Sequence, residues 1–206
     1  MSFTLREIMG QYKALDQTID RMRSDCGNIR QFFSETQPKK ILFTGCGSSY
    51  SLSCAMRSIA STRLDIPVYA LAAGDLWLNC EAYQSMVEEA LVISLSRSGR
   101  TSELINAYNA VKSVSSDVQF LSILCAEGTH IEALSDMTIC LPWAFDQSVC
   151  QTRCVSNLYA AGALLIDAIS GDDGIERGLM RVAALGDAYL ENNEGRIQAL
   201  ARKEWD

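Results

Sequence analysis

Five continuous apolar runs, separated by segments with helical spacing, most constrain how this 206-residue chain can fold. The runs lie at residues 41–44, 66–71, 91–95, 118–124 and 137–141. They are rich in β-branched residues and do not alternate with polar ones, which is typical of strands buried on both faces of a parallel sheet. Consecutive parallel strands are joined by right-handed crossovers. The pattern therefore predicts a three-layer α/β/α sandwich around a five-stranded parallel sheet.

Helices are predicted between these runs and after the last of them. The helix over residues 101–115 is the clearest, because Leu104, Tyr108 and Val111 recur on one face. The other helical segments are predicted near 49–63, 129–135 and 152–169, with a short irregular or helical piece near 74–80. Together these helices would cover both faces of the sheet.

Both ends of the chain are predicted to be helical extensions. The pattern Thr4-x-x-Glu7 indicates a capping box at the first helix. The last residues are predicted to form two helical pieces, over 175–190 and 194–205. The predicted units are N-terminal helices over residues 1–38, the sandwich over 39–170 and C-terminal connector helices over 171–206.

Charge and hydropathy limit the expected partners. The formal net charge is −7, whereas proteins that bind nucleic acid or anionic membranes cluster Lys and Arg on one surface. No window approaches the ~18 apolar residues that a membrane span needs, and residues 1–30 lack the apolar core of a signal peptide. We therefore expect a cytoplasmic protein that binds a small molecule, and neither nucleic acid nor membrane.

The cysteines give no indication of a metal site. There are eight of them, none in a Cys-x-x-Cys pair, and His130 is the one histidine that could assist. We predict reduced thiols that act as small core residues, and neither a metal nor a cofactor. Cys46 differs from the others because it lies inside a glycine-containing loop.

Two hydroxyl-rich loops follow the first and third apolar runs. Residues 45–50 read Gly-Cys-Gly-Ser-Ser-Tyr, residues 96–101 read Ser-Arg-Ser-Gly-Arg-Thr, and each loop leads into a predicted helix. Ligands of an open parallel sheet bind beyond the carboxyl ends of its strands, which is where both loops lie. Hydroxyls, backbone N–H groups and two helix N-termini together predict a site for a phosphate group. Serine and glycine after a strand are also common helix-capping devices, and that alternative stays open here.

Other phosphate-binding and nucleophile motifs fit these loops less well. The dinucleotide fingerprint needs a third glycine where Tyr50 stands, and the chain has no Gly-Lys-Ser/Thr of a nucleotide-binding P-loop. A Gly-x-Ser-x-Gly nucleophile elbow is absent, and one histidine leaves no arguable Ser/His/acid set. The loops therefore favour a small phosphorylated ligand.

These loops, with two other stretches, resemble the sugar isomerase (SIS) domain family. The matching stretches are Glu7-Ile8-x-x-Gln11 with Ala14-Leu15, Gly45-Cys46-Gly47-Ser48-Ser49, Ser96-x-Ser98-Gly99-x-Thr101 and Ser148-Val149-Cys150-Gln151-Thr152-Arg153. They span residues 4–170, and they are most similar to the first half of double-domain members. Those members are the isomerase part of glucosamine-6-phosphate synthase and the tagatose-phosphate and fructosamine-type isomerases and deaminases. The resemblance implies a flavodoxin-like SIS fold and a role in carbohydrate metabolism.

The resemblance also implies roles for particular residues. The side chains expected to hold the phosphate of a sugar or amino sugar are Ser49, Ser96, Ser98 and Thr101. The residues expected to contact the sugar backbone are Cys46, Gly47, Ser48 and Val149. Arg97 stands where many members have a ligand-facing glutamine. This departure would strengthen the phosphate site or adapt it to a more anionic substrate.

The resemblance implies a phosphosugar aldose–ketose isomerase or deaminase, yet the catalytic groups are missing. Isomerisation moves a proton between C1 and C2 of the sugar and needs a carboxylate base. The available acids that match no family base position are Glu103, Glu127, Glu132 and Asp146. We therefore assign no catalytic residue, and expect the chain to be the first half of a unit whose catalytic half lies elsewhere. Because family members are usually dimers or larger, a homo-oligomer is expected.

Two alternative functions stay open. The first is a regulatory module that senses a sugar phosphate without converting it, although residues 1–38 are too short and acidic to favour a DNA-reading extension. The second is a complete single-domain phosphosugar isomerase, with its acid and base supplied across a homo-oligomer. Binding without turnover by the chain alone distinguishes the enzyme half from the complete isomerase.

Overall fold

The computed structural model describes residues 2–203 and contains a five-stranded parallel sheet. Its strands are β1 (Lys40–Gly45), β2 (Val68–Ala72), β3 (Ala90–Ser96), β4 (Gln119–Leu124) and β5 (Met137–Cys140). Neighbouring strands run parallel throughout, in the order β2–β1–β3–β4–β5 across the sheet. The predicted five-stranded parallel sheet is confirmed.

Helices cover both faces of the sheet, and the chain begins and ends with further helices. They are α1 (Phe3–Met9), α2 (Gln11–Thr36), α3 (Ser48–Ala60), α4 (Ala73–Leu78), α5 (Gln84–Val87), α6 (Ser102–Val114), α7 (His130–Leu134), α8 (Arg153–Ser170) and α9 (Gly174–Ala201). Short 3-10 turns lie at Cys80–Tyr83 and Pro142–Ala144. Within residues 2–203, none of the helices is both long and apolar enough to cross a membrane.

Both faces of the sheet are buried, which explains why the strands are apolar without alternation. On one face, Ile41 and Phe43 of β1 pack with apolar side chains of α2, α3 and α8. On the other face, Leu42 of β1 packs with side chains of α4, α6 and α7. Because successive side chains of a strand point to opposite faces, a strand covered on both sides needs apolar residues at every position.

Helix α1 begins earlier than its sequence pattern predicted, and the predicted capping box is wrong. Ser2 is the N-cap, and its hydroxyl oxygen accepts a hydrogen bond from the backbone N–H of Leu5 at 3.3 Å. Thr4 therefore lies inside the helix. The carboxylate of Glu7 is buried and accepts hydrogen bonds from the backbone at residues 147 and 148. A tertiary contact has thus replaced the local one.

Helix α9 is continuous, whereas the sequence predicted two separate pieces at this end of the chain. Gly195 lowers the local helix propensity, but a glycine inside a helix costs only about 1 kcal/mol relative to alanine. Ala183 is buried in the core, and Glu176 at the start of α9 forms an ion pair with Arg23 of α2 at 2.6 Å. Packing of its first half therefore supports one long helix. The last predicted helical residues, 204 and 205, lie outside the described ones.

Candidate functional site

The two hydroxyl-rich loops lie side by side at the carboxyl edge of the sheet. β1 and β3 are neighbours, with Thr44 paired to Ser94, so the loops that follow them are also neighbours. The first loop enters α3 at Ser48, and the second enters α6 at Ser102. A pocket of about 80 Å³ lies between them. Its lining comprises Cys46, Ser49, Leu95, Ser96, Arg97, Ser98, Thr101, Leu104 and Gln151.

Most of the predicted site residues line this pocket, and three do not. Those in the lining are Cys46, Ser49, Ser96, Arg97, Ser98 and Thr101. Gly47 forms the turn before α3. Ser48 is exposed, and its hydroxyl donates to the side-chain oxygen of Gln151 at 3.3 Å. Val149 is 93% exposed and lies outside the lining, so its contact with a ligand stays a prediction.

Two glycines hold the loops in shapes that other residues resist. Gly47 has a φ of 56°, in the left-handed range that favours glycine. Gly99 has a φ of 59°, and a Cβ atom there would lie 2.5 Å from Oγ1 of Thr129. The second loop can therefore pass this close to the start of α7 only because residue 99 has no side chain.

The hydroxyls of the two loops do not cap the helices that follow. Over the described part of the chain, neither α3 nor α6 receives a side-chain hydrogen bond from its N-cap residue, Gly47 or Thr101. Ser96 instead accepts from the backbone N–H of Gly99 at 3.0 Å, and Ser98 accepts from that of Arg100 at 3.3 Å. In α3, the N–H groups of Ser49 and Tyr50 donate to the carbonyl oxygens of Cys46 and Gly47 at 3.1 and 3.0 Å. The N-terminus of α6 is therefore the one that favours an anion over the capping alternative.

Arg97 connects the pocket to the loop before α8. Its Nη1 donates to the carbonyl oxygen of Ser148 at 3.0 Å, and its guanidinium carbon lies 5.9 Å from the centre of the Phe145 ring. Its Nε is buried, and no residue in the described range accepts a hydrogen bond from it. A buried N–H without a partner is destabilising. An oxygen atom of a bound ligand would supply the missing acceptor for the Nε–H of Arg97.

Cys46 lines the pocket as a neutral thiol at physiological pH. Burial, together with the nearby carboxylate of Glu103, raises the pKa of the Cys46 thiol to about 11. The thiolate is the reactive form of cysteine, so the environment of Cys46 favours ligand contact over covalent catalysis. All eight cysteines lie within the described residues and are free thiols. The prediction that they act as core residues is confirmed for Cys80, Cys125 and Cys154, which are buried, and is wrong for Cys54 and Cys150, which are exposed.

Within residues 2–203, no carboxylate lines the pocket. Glu132 takes part in a capping box at α7. Asp146 is buried, and its Oδ2 accepts from the backbone N–H groups of Thr152 at 2.7 Å and Cys154 at 3.0 Å, at the start of α8. His130 is exposed at the first residue of α7. Glu103 is outside the lining, with its carboxylate close to the thiol of Cys46. The lining formed by the described residues is therefore suited to bind an anion and includes no carboxylate base.

The described residues also include no group of three His, Cys, Asp or Glu side chains that could hold a metal ion. The polar atoms of the pocket are instead hydroxyls, a guanidinium and an amide. These groups can all donate hydrogen bonds. The donor set therefore matches the oxygen atoms of a phosphate.

Gln151 is a pocket residue that the sequence patterns did not mark as a ligand contact. Its side-chain oxygen accepts from the hydroxyl of Ser48 and from the thiol of Cys154, each at 3.3 Å. With that oxygen held, the amide nitrogen is the end that can donate to a ligand. Gln151 could have been identified from its position in residues 148–153, because that segment resembles the corresponding segment of SIS domains.

Fold and site together define a class of protein: a three-layer α/β domain in which hydroxyl-bearing loops and two helix N-termini meet at a small pocket. The family model described as SIS domain matches residues 36–166. The chain therefore belongs to the SIS domain family, which confirms the resemblance found in its loops.

Several characterised proteins are similar to this chain. It is 24% identical over 128 residues to glutamine–fructose-6-phosphate aminotransferase (isomerizing) of Methanothermobacter thermautotrophicus, which covers 62% of this chain and 21% of the relative. A protein of Clostridium novyi NT assigned as a tagatose-6-phosphate ketose/aldose isomerase has a TM-score of 0.83 at 21% identity. That match covers 96% of this chain and 53% of the other. Glucosamine-6-phosphate deaminase of Thermotoga maritima has a TM-score of 0.73 at 23% identity, with 92% and 55% covered.

At these identities the structural likeness establishes a shared fold. The chain spans about half the length of these solved relatives and about a fifth of the aminotransferase. The fold class predicted from the apolar runs is therefore confirmed, and the relatives' activities are not transferred with it.

Proposed function

We propose that this chain binds a small phosphorylated sugar or amino sugar, with the phosphate in the pocket between the two loops. The observation that carries the proposal is the convergence of four hydroxyl side chains beside the N-termini of α3 and α6. The four are Ser49, Ser96, Ser98 and Thr101. Hydroxyls and helix dipoles can stabilise a dianion without a lysine. Membership of the SIS family, and likeness to proteins named for sugar 6-phosphates, support the same ligand class.

The sugar part of the ligand would extend from the first loop toward the loop before α8. Cys46 lies in the pocket, and Gly47 and Ser48 follow it at the start of α3. Gln151 adds an amide donor on the opposite side. Val149 would need to turn inward to meet a ligand, since it is exposed in the unliganded chain.

We infer that the chain supplies the phosphate-binding half of a phosphosugar aldose–ketose isomerase or deaminase. Proton transfer between adjacent sugar carbons needs a base, and the described residues place no carboxylate in the pocket lining. The base would then be contributed from outside the pocket lining, for example by a partner subunit. Binding without turnover by this chain alone is the expected behaviour.

The domain limits and the location in the cell are part of the same proposal. We propose that residues 39–170 form the SIS unit, with helical extensions over 1–38 and 171–206. The family match over residues 36–166 supports the proposed bounds of the SIS unit. We also propose a cytoplasmic location, in line with eight free thiols, which reducing compartments maintain.

A homodimer or larger oligomer is proposed from the surface of α9. Leu185 is 65% exposed and Tyr189 is 59% exposed, and Val182 lies on the same face of the helix. Ala183 and Leu190 lie on a neighbouring face, about 100° around the helix, and are buried. An exposed apolar stripe of this kind is typical of an interaction surface.

Titration calorimetry with paired ligands tests the binding proposal. Each pair differs only in the phosphate, for example fructose 6-phosphate with fructose and glucosamine 6-phosphate with glucosamine. We expect measurable binding of at least one phosphorylated member, no detectable binding of its partner, and competition by inorganic phosphate. Equal affinity within every pair, or no binding of any phosphorylated sugar tested, would contradict the proposal.

A further inference from the structure

A single buried carboxylate ties helix α1 to residues 145–152, the segment that leads into α8 and is called the entry loop below. Glu7 is 4% exposed. Its Oε1 accepts from the backbone N–H of Gln147 at 2.6 Å and from that of Ser148 at 3.2 Å, and its Oε2 accepts from the Ser148 hydroxyl. One side chain near the start of the chain thus satisfies three donors of a loop 140 residues away.

The entry loop in turn supports two residues of the pocket. The carbonyl oxygen of Ser148 accepts from Nη1 of Arg97 at 3.0 Å, and Arg97 lines the pocket. Gln151 belongs to the entry loop, lines the pocket, and accepts a hydrogen bond from Ser48 across it. Ser148 is therefore held by Glu7 through its N–H and hydroxyl and holds Arg97 through its carbonyl.

Glu7 binds the backbone N–H groups at residues 147 and 148, in the middle of the entry loop. Asp146 accepts from the N–H groups of Thr152 and Cys154, so it fixes the end of the loop against α8. Gln147, Val149 and Cys150 are exposed. The contact with Glu7 therefore anchors a stretch of the loop in which three of four residues are exposed.

The charge of Glu7 suits this role. Burial disfavours the ionised form, but hydrogen bonds from Ser148 and Gln147 and the positive charge of Arg153 outweigh it, so the pKa of Glu7 lies below its usual value. An ionised carboxylate has acceptors only, which matches a loop that presents three donors. Hydrogen bonds to a charged acceptor are also stronger than neutral ones.

We propose that Glu7 is a positioning residue, which holds the entry loop so that Gln151 is set to meet the sugar side of a bound phosphosugar. This inference rests on the proposed function and extends it to α1, a helix that does not reach the pocket lining. The two hydroxyl-rich loops hold the phosphate, and the loop supported by Glu7 holds the sugar. Loss of the Glu7 contact then weakens sugar-phosphate binding more than binding of phosphate alone.

The Glu7→Gln variant tests this division of roles. Glutamine keeps the size of the side chain but is neutral, and its NH₂ group brings a donor to a site where three donors already point. For the sugar phosphate that binds the wild type most tightly, we expect Kd to rise about tenfold, the effect of losing about one charge-assisted hydrogen bond. For inorganic phosphate we expect a change of less than about twofold on the same grounds. Calorimetry measures both.

Two further variants test whether the effect comes from the loss of a negative charge in general or from the contact between Glu7 and the entry loop. Asp16→Asn makes the same charge change at an exposed position of α2 and should alter neither Kd. Ser148→Ala removes one donor to Glu7 and leaves the backbone in place. In a double-mutant cycle, Glu7→Gln and Ser148→Ala should be less than additive on sugar-phosphate Kd, because both break the same contact. Full additivity would contradict the inference.

Hydrogen exchange of the ligand-free protein separates positioning from overall stability. In Glu7→Gln, exchange should be faster over residues 147–152 and unchanged in β1 and β3. Faster exchange throughout the sheet would assign Glu7 to global stability and overturn the positioning role. If the wild type binds a sugar phosphate and Glu7→Gln binds it equally well, only the inference fails. If the wild type binds none, the proposed function fails, and the positioning role fails with it.

Discussion

Ser98 and Thr101 lie three residues apart in the second loop, and both line the pocket. The oxygen of Ser98 accepts a hydrogen bond from the backbone N–H of Arg100. A hydroxyl has one proton and two lone pairs, so Ser98 can shape its own loop and still donate to a ligand. Thr101 is the N-cap residue of α6, and its side chain makes no capping hydrogen bond there. Each side chain therefore has a proton that a phosphate oxygen can accept.

Removing either hydroxyl should weaken phosphosugar binding without unfolding the domain. For Ser98→Ala and Thr101→Ala we expect a loss of about 1.5–3 kcal/mol each, the value of a hydrogen bond to a charged group. This corresponds to a Kd about ten- to hundredfold higher, measured by calorimetry. Ser113→Ala removes an exposed hydroxyl near the end of α6 and is the matched control. Unchanged affinity in both test variants would refute the phosphate assignment.

Arg97→Gln should have a smaller effect that depends on salt. Arg97 is partly exposed, and part of its attraction for a phosphate acts through solvent, where ions screen charges over about 10 Å at 0.1 M salt. We expect a rise in Kd that shrinks as salt increases, measured by titrations at low and high ionic strength. Arg100→Gln changes an exposed arginine of the same loop that lies outside the lining, and serves as control. An effect of Arg97→Gln that is independent of salt would argue against this account.

The meeting of the two hydroxyl-rich loops could be predicted from the sequence, and the contacts of the entry loop could not. Loops after neighbouring parallel strands must meet at one edge of the sheet, which is why Ser49 and Ser98 could be placed in one pocket. Gln151 and Glu7 depend on the path of the entry loop, which no periodicity encodes. Glu7 even carried a misleading local signal, since its spacing from Thr4 is that of a capping box.

At the scale of elements, strands were predicted more reliably than helix ends. A strand covered on both faces leaves an unbroken apolar run, as in residues 91–95 of β3. Helix ends depend on small free-energy differences that packing can override. The continuous α9, which was predicted as two pieces, is one case, and the N-cap of α1 at Ser2 is another.

The exposed face of α9 should mediate self-association. Leu185→Glu places a charge in the middle of the apolar stripe, and a buried unpaired charge strongly disfavours an interface. We expect the wild type to form a dimer or larger species and Leu185→Glu to be monomeric, by size-exclusion chromatography with light scattering. Leu78→Glu makes the same change at an exposed leucine of α4 and should leave the assembly intact. A monomeric wild type over the whole concentration range would contradict the proposal.

At the scale of the whole molecule, an acidic protein offers one small donor-rich pocket. The net charge of −7 disfavours long polyanions such as nucleic acid. Yet the sheet order places two helix N-termini and several hydroxyls at a single point of its edge. The helix dipoles at this point can therefore attract a phosphate even though the net negative charge of the protein repels it. We therefore expect the chain to bind a small phosphorylated ligand in preference to an extended polyanion.

The most direct test of the account is a crystal structure of the chain with a bound sugar phosphate. We predict that the phosphate lies between the two hydroxyl-rich loops, with its oxygens within about 2.5–3.2 Å of the side chains of Ser98 and Thr101 and of backbone N–H groups at the start of α3 or α6. A phosphate bound elsewhere on the molecule, with the hydroxyls of these loops turned away from it, would contradict the account.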